Sequence, residues 1–158
     1  MTITAGGTNI TPTTAERRPG WRFGLLAALF VAAVALPFIF LGDGPSWFHL
    51  VFHLLGVALC TVAVLTLRSI RRHAASKTLR VLTWISTVAF LAWFVGHAGE
   101  LATVVTHGGA HADQTLFENP VHVFFATIAV PAWMTSVLSS LVLLITAGVQ
   151  AIIRKVKR

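Results

Sequence analysis

The sequence predicts an all-α fold, an integral membrane four-helix bundle with both termini cytoplasmic, and three observations carry that prediction. The first is composition: 56% of the residues are hydrophobic and 11% charged, and the mean hydropathy of +0.80 lies outside the range of soluble globular domains. The second is distribution, because the apolar residues gather in four stretches at about 23–41, 47–67, 81–105 and 121–153. Each is long enough to cross roughly 30 Å of hydrocarbon at about 1.5 Å per residue. The third is the placement of charge. Arg17, Arg18 and Arg22 precede the first stretch; Arg68, Arg71, Arg72, Lys77 and Arg80 lie at the second connection; Arg154, Lys155, Lys157 and Arg158 follow the fourth. Lys and Arg resist translocation, and the other two connections, 42–46 and 106–119, contain neither. All twelve bases therefore fall on one side, the cytoplasmic one, and six of the seven histidines fall outside.

Taken in order, residues 1–19 are rich in Thr, Gly and Ala without an apolar period, cannot bury enough surface to offset the entropy of ordering, and read as a flexible cytoplasmic tail. The Asn9-Ile10-Thr11 triplet in that tail is on the wrong side for glycosylation. Residues 20–158 form one transmembrane domain. The first span follows a short basic segment but is long for a signal-peptide core and is followed by no small-x-small cleavage site, so it is expected to stay in the mature chain. Ser46 is placed to cap the second helix, and Asn119 with Pro120 to open the fourth. Cys60, the single cysteine, lies in mid-span and reads as a packing residue. The fourth stretch, about 50 Å long if fully helical, exceeds the membrane core, and Pro131 is the expected place for a bend, with Pro37 a second in the first helix. Thr135, Ser136, Ser139 and Ser140 offer a small hydroxylated face suited to helix packing in lipid. Short connections make consecutive helices antiparallel neighbours.

The net charge of +7 raises nucleic acid as a partner, but the bases sit at helix ends with no soluble module to organise them. Topology and anionic head groups account for them instead. The expected partners are the lipid bilayer and a protein partner, or a second copy of the chain, within a plasma membrane that is expected to be bacterial.

Ionisable side chains inside a bilayer are costly and usually mark function. His49 and His53, at i and i+4, share one face of the second helix, with His53 about 9 Å below Trp47. His97 and Glu100, at i and i+3 on the third helix, lie about 12 Å and 8 Å below Val105. The two pairs occupy one depth band, and the helices run in opposite directions, so His53, His97 and Glu100 can meet. His122, one turn into the fourth helix, can close the site from above, and the preceding loop adds His107, His111, Asp113 and Glu118. Simpler roles exist for each: a polar helix end among head groups for His49 and His53, a hydrogen-bond acceptor that orients an imidazole for Glu100, solvent exposure for His107 and His111. His73 lies among the cytoplasmic bases and is structural or incidental.

Two kinds of cofactor fit this set. Haem b needs an axial ligand from each of two helices and an apolar, aromatic slot; His53, His97 and His122 are the candidate ligands. Gly56, Gly96 and Gly99 would leave room beside them, and Phe48, Phe52, Trp93, Phe94, Phe124 and Phe125 would line the slot. A bare Zn or Cu ion would use three or four of His49, His53, His97, Glu100 and His122. Cu(I) is less suited, since Cys60 is deep and Met134 lies below the cluster. Zinc-protease, serine-hydrolase and phosphate-loop motifs are absent from the sequence.

The run Gly96-His97-Ala98-Gly99-Glu100-Leu101, ending in Thr106-His107-Gly108, resembles a motif in a family of uncharacterised bacterial four-helix membrane proteins, in which a helix closes with a Gly-His-x-Gly segment followed by His-Gly. Asn119-Pro120-Val121-His122-Val123-Phe124-Phe125 is similar to the His-Pro-containing first helix of that family, though here it opens the fourth. The resemblance covers fewer than thirty residues. It implies a haem-associated or redox-linked membrane module and carries over to His97, His107 and His122. Three readings stand from the sequence: a small haem b protein or redox subunit with its cofactor in the outer leaflet, a membrane metal-ion protein or metalloenzyme, and a cofactor-free accessory subunit of a larger complex.

Overall fold

The computed structural model describes residues 20–40, 47–106 and 118–157. They form four α-helices: α1 (Trp21–Phe40), α2 (Trp47–His73), α3 (Lys77–Thr106) and α4 (Pro120–Val156). All four are long and apolar enough to cross a membrane, and no strand occurs among the described residues. The tail at 1–19, the Ser46 cap, His107, His111 and Asp113 lie outside the described residues.

The helices outrun the apolar stretches that announced them. α2 continues past Leu67 through Arg68, Arg71 and Arg72 to His73, and α3 begins at Lys77, a turn before Val81. Hydropathy reports where lipid ends, whereas backbone hydrogen bonding continues into water as long as the residues favour it. The turn between them is made by Ser76, whose Oγ accepts from Leu79 N at 3.2 Å. At the start of α4, Asn119 Oδ1 accepts from Val121 N at 2.9 Å, with Pro120 in the first helical position. α4 then runs for 37 residues, about 55 Å, and Pro131 does not interrupt it.

Each helix packs on its two neighbours in a closed ring, α3 most extensively against α4 and then α2, while α1 bridges α2 and α4 more loosely. Contacts between opposite ends show all neighbours to be antiparallel. Arg22 at the start of α1 reaches His73 at the end of α2, His53 near the start of α2 meets His97 late in α3, and Gln150 near the end of α4 donates to Ser76 before α3. One end of the bundle thus carries His49, His53, His97 and His122, and the other His73 and the described Lys and Arg. The outward side chains along the spans, Leu65, Val88 and Leu138 among them, are large and apolar, an exterior suited to lipid and not to water. Cys60 is fully buried among Leu26, Ala63 and Leu67, in the packing role expected of it.

In lipid every backbone polar group needs a partner within the protein, and Pro37 creates a vacancy by withholding the N–H that would bond the carbonyl of Ala33, four residues earlier. Trp133 of α4 fills it: its indole Nε1–H donates to Ala33 O at 2.8 Å. The proline in α1 and the tryptophan in α4 thereby form one joint between the two most loosely associated neighbours.

Ser136, Ser139 and Ser140 are buried, as the packing face requires. Thr135 is not part of that face. It is exposed, rotated about 100° from Ser136 on a helix of 3.6 residues per turn, and its hydroxyl donates back to Pro131 O at 2.8 Å. α3 supplies buried hydroxyls of its own at Thr83, Ser86 and Thr87, a small polar stripe at i, i+3 and i+4.

Candidate metal centre

Four side chains from three helices converge at the histidine end. His49 and His53, one turn apart on α2, set their rings edge to face with centroids 4.6 Å apart and planes at 87°, bringing the two Nε2 atoms to 3.1 Å. Glu100 of α3 approaches from the other side, its Oε2 3.3 Å from His53 Nε2. His122 of α4 closes the group with Nδ1 3.7 Å from Glu100 Oε2 and its ring centroid 5.5 Å from that of His49. One ligand atom each from His49, His53 and Glu100 fits within a span of 4.8 Å. His53, Glu100 and His122 are buried and His49 half-buried.

The separations among His49, His53 and Glu100 are those of a coordination shell, and His122 stands outside that group of three. Four ligands about 2.0–2.1 Å from a tetrahedral ion lie about 3.3 Å from one another along the edges of the tetrahedron. The pairs at 3.1 Å and 3.3 Å are at that edge length, and the pair at 3.7 Å is slightly beyond it. Proton counting points the same way. His53 Nε2 faces both His49 Nε2 and Glu100 Oε2, yet an imidazole nitrogen carries at most one proton and can donate it in one direction. A cation at the point of convergence satisfies all three atoms at once. It also answers the carboxylate, which is buried at 5% exposure and whose ion-pair partners among the described residues are the imidazoles of His53 and His122.

His97 stands behind this group and not in it. Its Nδ1 is 3.0 Å from His53 Nδ1, so it touches the nitrogen of His53 that points away from the convergent atoms. When His53 offers Nε2 as a ligand, Nδ1 carries the proton and donates it to His97, the arrangement by which a second residue fixes the tautomer and ring plane of a ligand histidine. The His97 ring is itself held by Phe52 and Trp93, with centroids at 5.0 Å and 5.1 Å. It lies so close over Gly56 that a Cβ there would overlap its Nε2 edge.

The glycines near the site are filled by the chain itself. Gly56 admits the His97 ring, Gly99 the ring of Phe125, and Gly96 the backbone and Cβ of Ala129 at 2.7 Å from where its own Cβ would stand. The structure therefore brings together His49, His53, His97, Glu100 and His122. It leaves Phe124 and Met134 exposed on the outside of α4, places Glu118 in the exposed turn before α4, and sets His73 at the far end beside Arg22. Sequence reasoning identified Gly56, Phe52 and Trp93 but not their common task of seating His97. Comparison of the chain with protein-family models, curated proteins and solved structures gives no match in any of the three.

Proposed function

We propose that the protein is a membrane metal-binding protein that holds one zinc or copper(II) ion among His49 Nε2, His53 Nε2, Glu100 and His122, with His97 as the residue that orients His53. The carrying observation is the convergence of His49, His53 and Glu100 ligand atoms within 4.8 Å at separations close to a tetrahedral edge. Imidazoles with a carboxylate suit these ions. The haem b reading uses the same histidines, but an axial pair must face each other across a macrocycle, whereas His53 and His97 are in direct hydrogen-bond contact and own side chains fill the glycine gaps. That compactness favours an ion.

Segregation of the described Lys and Arg to the other end supports a cytoplasmic location for that end and for both termini; on this reading the metal lies in the outer leaflet of a plasma membrane, which we take to be bacterial. With His122 in place the shell has four protein ligands, an arrangement suited to holding or passing on a metal more than to catalysis, which keeps a position open. Cysteines at Ala75 and Gly109 test the orientation, since only the second should react with a reagent confined to the outside.

Titration of the detergent-purified protein with Co(II) tests the site. A tetrahedral site predicts intense visible ligand-field bands that saturate at one equivalent and vanish on zinc addition. A Soret band in the protein as purified, or weak octahedral bands unaffected by zinc, would contradict it.

A further inference from the structure

The opposite end of the bundle holds a second feature that the metal reading does not use. A cleft of about 920 Å³ lies between α1, α2 and α4, at the upper end of the roughly 300–1,000 Å³ typical of ligand sites. It is about 29 Å from the histidine group, measured as the rise along α2 from His53 to Arg72. Between Leu144 and Arg154 the part of α4 that lines the cleft is small, Ala147, Gly148 and Ala151, and a Cβ on Gly148 would meet nothing within 4 Å.

Its lining is amphipathic. Arg22, Arg72 and Arg154 enter it from three different helices, while Phe23, Ile70 and Leu144 are among the apolar residues beneath them. Arg22 Nη1 lies 2.6 Å from His73 Nδ1 and donates to Ser69 O at 3.5 Å, and its Nε is buried without a hydrogen-bond partner among the described residues. Arg154 Nη2 donates to the neutral side chain of Gln150 at 3.3 Å. No carboxylate answers these charges among the described residues. Glu100 and Glu118 are at the histidine end, Asp43 and Asp113 belong by sequence to the two connections of that end, and Glu16 is outside the described residues. Three arginines lining one cleft make it electropositive and favour the entry of an anion. Their planar forks match the oxygens of a phosphate, and the apolar floor matches an alkyl chain. Basic pockets between transmembrane helices at the cytoplasmic face are the settings in which anionic head groups are recognised.

We propose that this cleft binds one anionic phospholipid, its phosphate among Arg22, Arg72 and Arg154 and an acyl chain along Phe23, Ile70 and Leu144. The lipid would complete the packing of α1, the helix least held by its neighbours, against α2 and α4. This site stands independently of the metal.

Native mass spectrometry of the full chain in detergent, titrated with dioleoylphosphatidylglycerol or dioleoylphosphatidylcholine, tests it. One phosphatidylglycerol should be retained in preference to phosphatidylcholine. Arg22→Gln with Arg154→Gln should weaken that binding roughly 30-fold, at about 5-fold per arginine and a little more for their joint loss. Arg68→Gln with Lys155→Gln removes the same charge outside the cleft and should leave it within about 2-fold of the unaltered chain. Gly148→Phe keeps every charge and fills the cleft, so it should displace the lipid even where the arginine variant fails to fold. Equal loss in the two charge variants, equal retention of the two lipids, or undiminished binding in Gly148→Phe would each overturn the proposal. Displacement of the lipid by millimolar inorganic phosphate would show an anion site without lipid specificity and would overturn it as well.

Discussion

His53 and His97 meet through their Nδ1 atoms at 3.0 Å, one imidazole from each of two antiparallel helices, and this contact leaves Nε2 as the nitrogen of His53 that faces His49 and Glu100. A residue that acts through another should be replaceable by one that preserves the acceptor. His97→Asn keeps a side-chain oxygen near the position of Nδ1 and should hold zinc within a few-fold of the unaltered protein, whereas His97→Phe fills the space without an acceptor and should weaken zinc binding by roughly 10- to 100-fold. Competition with a chelating dye measures both. Equal losses in the two variants would make His97 a ligand in its own right or a packing residue.

Glu100→Gln preserves the size of the side chain and removes its charge. As a ligand, Glu100 should cost more than the roughly 100-fold ceiling of an orienting residue when changed, while thermal unfolding in detergent without metal should move little, because Gln can still bond His53 and His122. A stable variant with undiminished metal affinity would remove Glu100 from the shell.

Gly56 and Gly24 make a contrast in which the same substitution has opposite outcomes. A Cβ at Gly56 would overlap the His97 ring, which Phe52, Trp93 and His53 hold from other sides. Gly56→Ala should therefore destabilise the bundle by about 1–3 kcal/mol and lower metal affinity along with it. Gly24 lies inside α1 with nothing within 4 Å of its would-be Cβ, and Gly24→Ala should be neutral or stabilising by about 0.5–1 kcal/mol. Unfolding in mixed detergent micelles, followed by circular dichroism, compares the two.

The joint between α1 and α4 predicts coupling between residues that do not touch in sequence. Trp133→Phe leaves the Ala33 carbonyl without its donor and should cost about 1–2 kcal/mol. In a Pro37→Ala background the residue at 37 regains an N–H that can bond Ala33 O within the helix, and the same Trp133 change should cost measurably less. Additive losses across the cycle would mean that Trp133 acts through its ring packing alone.

The depth of each ionisable residue was legible in the sequence, because helical rise converts residue number into height once the spans are known. That is why His53, His97 and Glu100 could be expected in one depth band, with His122 above them. The azimuth of a side chain was less legible. Whether His97 joins the group or stands behind it depends on where α2 offers a gap, and Gly56, read from sequence as room for a macrocycle, is the gap into which His97 turns. Helix ends were obscured for another reason: Arg68 to His73 and Lys77 to Arg80 are helical but polar, and hydropathy is blind to helix outside lipid. The arginine cleft escaped notice because Arg22, Arg72 and Arg154 are separated by tens of residues, and only the antiparallel packing of their helices brings them to one place.

An ion held by His49, His53, Glu100 and His122 should be present in the protein as it is purified. Elemental analysis of the protein purified from cells supplied with zinc and copper, beside His53→Ala prepared identically, measures it directly. About one zinc or copper per chain is expected after exhaustive dialysis in the unaltered protein and none above background in the variant; equal metal content in the two preparations, whether absent from both or present in both, would contradict a metal site at these residues.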